Sequence, residues 1–247
     1  MKRQALVIAS PGEKGQQGYL AGTDADLISY VDFLKSPLGG AWAESEIVTL
    51  RNPSKTVVSN AVSMLSTVDY SFTAFCGHGR HAGNPGSTHI LLSSGNEVNA
   101  DELRIGAPKH TLVLDCCRVM EAEVILDSVI AKAARQLPYL SKEECRKYFD
   151  LRIQACATGL VVLHACELNE TAGETRHGGY YSRSLVAGAN EWLENTSVDT
   201  KTDFAILSVV TAHEKAANSV KMLSGNRQNA DFEAPRAEKQ FPFAVIA

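Results

Sequence analysis

Short apolar runs that stop at polar, reactive side chains punctuate this chain. Gln4–Ala9, Asp69–Gly77, His110–Asp115 and Leu160–Ala165 are nearly continuous in hydrophobicity. Such runs predict strands buried on both faces of a parallel sheet. Two more strands are expected at Glu46–Leu50 and Phe241–Ala247. Between them the period changes to that of a helix. Leu27, Ile28, Val31 and Leu34 predict a helix capped by Thr23 or Asp24 and stopped by Ser36–Gly40. Asn52-Pro53 reads as an N-cap with proline at the first helical position, opening a helix to about Leu65. Ser141 and Glu144 form an S-x-x-E capping box for a helix to about Ala155. Val119–Ala134, Tyr180–Glu194 and Asp203–Leu223 also carry helical patterns. Pro11–Gly22, Arg80–Thr88 and Gln228–Lys239 read as loops, and His89–Ala100 as a hairpin on the surface. Strands alternating with helices predict an α/β fold: a mostly parallel central sheet with helices on both faces.

Composition narrows the function classes. At 247 residues, 45% hydrophobic and 21% charged, the chain is ordinary for a soluble globular protein. A net charge of −4 and a pI near 6.0 lack the basic stripe expected of a nucleic-acid binder. The apolar run after Met1-Lys2-Arg3 is too short for a signal peptide, and no stretch approaches the ~20 residues of a bilayer span. A cytoplasmic protein with no membrane partner is expected. Its six cysteines are then free thiols. A zinc site built from Cys76, His78, Cys116 and Cys117 is disfavoured because no C-x₂₋₄-C knuckle is present; no metal or cofactor is expected.

The chemistry concentrates where two of the strands end. Phe72–His81 (FTAFCGHGRH) presents His78 between Gly77 and Gly79, and Thr111–Arg118 (TLVLDCCR) presents Asp115, Cys116 and Cys117. The carboxyl ends of parallel strands open onto a crevice. A histidine and a cysteine meeting there form a nucleophile–base pair. Alternation along a strand turns Cys116 away from Cys117. Gln154-Ala155-Cys156 copies the first letters of a known Q-A-C-[RQG]-G peptidase signature. It fails at Ala157 and Thr158 and ends a charged helix, so Cys156 reads as a buried small residue.

These residues resemble the caspase-like cysteine peptidases, which include caspases, metacaspases and bacterial relatives. Gly22-Thr23-Asp24-Ala25-Asp26 resembles their G-T-D-x-D, Cys76–Gly79 their S-G-H-G, and Asp115-Cys116-Cys117 the D-C-C of metacaspases. Cys166–Glu174, Gly179–Leu185 and Phe241–Val245 resemble segments of the small subunit. The resemblance implies a single caspase-like (caspase–hemoglobinase) sandwich over residues 1–247. Its large-subunit-like part would be 1–135, its linker 134–142 and its small-subunit-like part 143–247. Departures are visible too: Cys76 stands for the usual serine, and the spacing from His78 to Cys117 is shorter than the ~50 residues typical of caspases. Gly95-Asn96-Glu97 lacks the acidic pair that binds calcium in some metacaspases.

The resemblance further implies Cys117 as nucleophile, His78 as general acid, and the backbone amides of Gly79 and Cys117 as the oxyanion hole. Caspases hold a P1 aspartate with an arginine and a glutamine; Leu20 and Asp115 stand in those places. One carboxylate repels another at contact distance. Asp115, with Asp26, is therefore expected to select P1 Arg over Lys in protein or peptide substrates. Asp26 is equally readable as a first-turn helix carboxylate. Arg135 and Lys142 in the linker are candidate processing sites for the enzyme itself or an activating protease, or else belong to an ordinary loop. A monomer or homodimer is expected, with a role in bacterial stress, cell-death or antiphage signalling implied by resemblance alone. The competing expectations are a catalytically silent interaction module of the same fold and a nucleotide-binding doubly wound domain. The latter would lack a P-loop.

Overall fold

A computed structural model of the chain describes residues 1–82, 87–93, 95–118 and 140–247. In chain order the elements are β1 (Arg3–Ser10), α1 (Thr23–Lys35), β2 (Ile47–Arg51), α2 (Lys55–Leu65), β3 (Tyr70–Gly77), β4 (Gly79–Ala82), β5 (Ser87–Ser93), β6 (Asn96–Asn99) and β7 (Lys109–Asp115). There follow α3 (Lys142–Ala155), β8 (Gly159–His164), β9 (Glu174–Thr175), β10 (Gly178–Gly179), α4 (Tyr180–Asn195), β11 (Ala205–Ser208), α5 (Val209–Leu223), β12 (Asp231–Glu233) and β13 (Pro242–Ile246). The expected helix over Val119–Ala134 and the candidate processing site Arg135 lie outside the described residues.

The central sheet has the order β12-β8-β7-β3-β1-β2, parallel throughout except for the antiparallel edge strand β12. Alternate residues of its inner strands feed two separate cores. Ala5, Val7, Phe72, Ala74, Val113 and Leu163 pack against α1, α3, α4 and α5. Leu6, Ile8, Phe75, Leu112 and Leu114 face α2 and the β4-β5-β6 sheet instead. Burial on both sides is why these strands read as unbroken apolar runs. Among the described residues no helix is long and apolar enough to cross a membrane.

Several local expectations are corrected. Ser54, not Asn52, caps α2, its side chain accepting from the Val57 amide. Asn52 has a left-handed φ of +45° and spends its amide on the Gly12 main chain. The N-cap of α1 is Gly22, with no side-chain cap bond, so neither Thr23 nor Asp24 caps it. The segment after His78 is not a loop throughout: Gly79–Ala82 is a strand paired antiparallel with β5. Asp203–Leu223 is not one helix, because Ala205–Ser208 is extended and pairs with β13, and Ser208 then caps α5. The stretch Gln228–Lys239 contributes the edge strand β12, all three residues of which are exposed. Lys142 is the first residue of α3, so the expected linker ends one residue inside a helix.

Gly22 shows how tightly the site's frame is closed. A Cβ there would lie 2.1 Å from the Thr175 carbonyl oxygen and 2.9 Å from Gly178 Cα. Both contacts are backbone, so neither can step aside cheaply. Gly22→Ala is therefore expected to cost about 1–3 kcal/mol by overpacking, measured as a lower urea midpoint.

Candidate active site

Parallel pairing sets the geometry. Cys76 of β3 lies opposite Asp115 of β7, so His78 and Cys117, each two residues further on, leave adjacent strands at the same height. Both line one cavity, together with Leu20, Thr23, Asp26, Asp115 and Glu174. The strand ends are also locked together. A Cβ on Gly79 would fall 2.7 Å from both Cys116 Sγ and the Cys117 carbonyl oxygen. Only glycine lets the chain pass that closely after the histidine. Cys116 turns to the opposite face, in the core shared with α2.

The imidazole is oriented by main chain. His78 Nε2 is bonded to the Gly18 carbonyl oxygen, which can only accept, so Nε2 carries the proton and Nδ1 remains for chemistry. The Cys117 thiol is 9% exposed and donates to the Ala172 carbonyl at 3.7 Å, with no bond to His78. Burial pushes its pKa up, with Asp115 and Glu174 adding to the rise. It rests as a thiol. Sequence reasoning names no acceptor for the imidazole, and no side-chain motif could reveal a backbone carbonyl.

Below the pair lies an acidic floor. Asp26, in the first turn of α1, takes the Gly179 amide with both oxygens, at 3.1 and 2.9 Å. Asp115 takes the Ser182 amide at 3.0 Å and its hydroxyl at 2.6 Å, while Tyr30 donates to that same hydroxyl. Both carboxylates thus sit at the N-terminus of α4, where free amides and the helix dipole favour negative charge. Two glycines make room for them: a Cβ on Gly178 would meet Asp26 Oδ1 at 2.3 Å, and one on Gly179 would meet Asp115 Oδ2 at 2.5 Å. Burial nevertheless raises both pKa values, and in Asp26 the neighbouring Asp115 adds to the effect.

Glu174, the last residue of the Cys166–Glu174 segment, completes the floor. It is 7% exposed, and among the described residues Oε1 has no hydrogen-bond partner. Burial and the nearby Asp115 push its pKa up to about 7 against the pull of the Gly22 and Ala21 amides and the Thr23 hydroxyl. Glu170, by contrast, is tied to the amide and side chain of Asn229. Cys156 is buried in the core at the end of α3. No group of three or more His, Cys, Asp or Glu among the described residues is arranged to hold a metal ion. The cavity has about 30 Å³ of free volume, roughly the share of one water.

Comparison with solved structures identifies the architecture. The chain is similar to caspase-1 from Spodoptera frugiperda (TM-score 0.58, 8% identity, 94% of this chain and 88% of that one). It is also similar to the Drosophila initiator caspase Dronc (0.55, 11%, 98% and 81%). Protein GSU0716 from Geobacter sulfurreducens matches over 100% of both chains at a TM-score of 0.59 and 15% identity. No protein-family model matches the sequence, and no curated protein sequence matches it. At these identities the comparisons establish a caspase-like α/β sandwich.

The state of Glu174 has a measurable consequence. Its folded pKa is raised to about 7 from 4.5, so the folded form holds a proton that the unfolded chain has released. Ionising it in place costs stability, and that cost grows as pH rises from about 4.5 to 7. Glu174→Gln is expected to raise the melting temperature at pH 8 and to leave it nearly unchanged at pH 4.5.

Proposed function

We propose that this caspase-fold chain is a cysteine endopeptidase that cleaves after basic residues, arginine before lysine. The observation that carries the reading is a histidine and a cysteine at the rim of a cavity floored by Asp26, Asp115 and Glu174. Three acids converge there, and one carboxylate oxygen is unpaired among the described residues. A guanidinium satisfies such a floor, pairing with carboxylate in a fork that lysine's single ammonium does not match. A P1 aspartate would bring a fourth acid into a site whose own acids already resist ionising.

The mechanism follows from the placement of donors. His78 Nδ1 takes the Cys117 proton, and the thiolate attacks the carbonyl carbon of the P1 residue. The developing oxyanion is held by the Gly79 and Cys117 amides, each such donor worth about 3–4 kcal/mol. The C–N bond then breaks, and the imidazolium returns its proton to the departing amine. Water finally hydrolyses the thioester. Gly18 acts only by positioning the ring.

Resting geometry supports an activation step as part of the proposal. The thiol points at Ala172, and the cavity is far smaller than an arginine side chain. Cleavage of the linker at Arg135 or Lys142, by the enzyme or by another protease, would release the surrounding segments. Lys142 is exposed at the start of α3 and would need that first turn to fray. A cytoplasmic role in bacterial stress, cell-death or antiphage signalling belongs to the same proposal.

Digestion of denatured protein substrates, with termini sequenced by mass spectrometry, is expected to give cuts after Arg, fewer after Lys and none after Asp. Cys117→Ala should abolish them, and comparison of its intact mass with wild type shows whether any linker nick is self-made. Glu174→Gln should lower kcat/KM for Arg substrates about a hundredfold or more, the scale of leaving a buried cation under-paired. Preferred cutting after Asp would reject the assignment.

A further inference from the structure

A second cavity also touches His78. It has about 560 Å³ of free volume and is lined by Ser10, Glu13, Gln16, Gln17, Asn52 and Ser93, with Leu91 and Leu92 as its apolar wall. That size falls within the ~300–1,000 Å³ of ordinary ligand sites. Among the described residues His78 is the one lining both this cavity and the acidic one.

Its walls are fixed to the catalytic frame. The Leu91 amide donates to the His78 carbonyl at 3.0 Å, coupling the β5 wall to the histidine. On the opposite side Asn52 clamps Gly12 through both its amide nitrogen and its oxygen, at 3.0 and 3.2 Å. The Leu20 amide closes the loop's base on the Pro11 carbonyl at 2.9 Å. In the same cavity Ser10, 2% exposed, has a buried hydroxyl with no hydrogen-bond partner among the described residues. A buried hydroxyl left unpaired is costly, and here it borders space that a ligand can enter.

We infer that this cavity receives the peptide on the amine side of the scissile bond, and that it selects polar or basic residues there against acidic ones. The inference rests on the peptidase reading above. The departing amine must lie against His78, which protonates it, while the P1 side chain occupies the acidic floor. The chain beyond the cut therefore continues past the histidine, and the cavity walled by β5 and the Gly12–Gly18 loop is the space it meets. Glu13 is the one acid among its described lining, and the other polar residues offer amides and hydroxyls. Lysine, arginine or an amide side chain can bond to this set. A glutamate would face Glu13.

Quenched fluorescent peptides with Arg at P1, Gly at P1′ and either Lys or Glu at P2′ and P3′ test this, with products assigned by mass. A peptidyl-Arg coumarylamide, which has no residue beyond the cut, reports the peptidase reading alone. Wild type is expected to cleave the coumarylamide and to prefer the Lys peptide about three- to fivefold, as suits one solvent-exposed charge. Glu13→Lys, a change on the exposed loop, should bring that ratio to unity or invert it. Coumarylamide cleavage with equal turnover of the two peptides, or a ratio that Glu13→Lys leaves unchanged, would overturn the inference while the peptidase reading stands. No cleavage of any of the three by protein whose linker has been nicked would overturn the peptidase reading and the inference with it.

Discussion

The register between β3 and β7 is the constraint on which the rest depends. With Cys76 opposite Asp115, the two strands end together, and the residues two steps on emerge side by side. A slip of one residue would turn one strand's side chains to the other face of the sheet. His78 and Cys117 would then open into different cores. The register is held because both faces of both strands are buried, so that either slip exposes an apolar row to the wrong neighbours. Gly79 locks it further, since the chain crossing behind Cys116 and Cys117 has no room for a side chain.

The acidic floor is costly in a fold of marginal stability. Three carboxylates are taken out of water, and each is pushed toward its protonated form. Part of the cost is offset by the N-terminus of α4, whose Gly179 and Ser182 amides hold Asp26 and Asp115. Glu174 draws on the Gly22 and Ala21 amides and the Thr23 hydroxyl, yet among the described residues one of its oxygens has no hydrogen-bond partner. Buried charge that is incompletely satisfied is often where a fold trades stability for function. Under the proposed function that charge would be answered when a cationic P1 side chain enters.

How much of this the sequence disclosed depended on where the information sits. Strands buried on both faces were legible as apolar runs, and the strand ends announced His78 and Cys117 because reactive residues there have no packing purpose. Elements at the margins were hidden. Gly79 and the glycines and proline that follow Ala82 made β4 look like loop, although cross-strand pairing overrides that composition. β11 merged with α5 because Ala205–Ser208 continues the apolar pattern, and only Ser208 marks the break. The edge strand β12 has no buried face to give it a period. Asp26 is a carboxylate in a first helical turn that also lines the cavity. Glu174 lies in a polar stretch without a pattern to betray the short strand β9, and its place became visible only once Gly22 and Gly178 had folded against each other.

Labelling with a peptidyl acyloxymethyl ketone bearing arginine at P1, mapped by mass spectrometry, tests the central claim most directly. The account predicts a single adduct, on Cys117, formed much faster than with the matching P1-aspartate reagent, while the five other cysteines, all buried, stay unmodified. An adduct on a different cysteine, or equal rates with arginine and aspartate reagents, would contradict it.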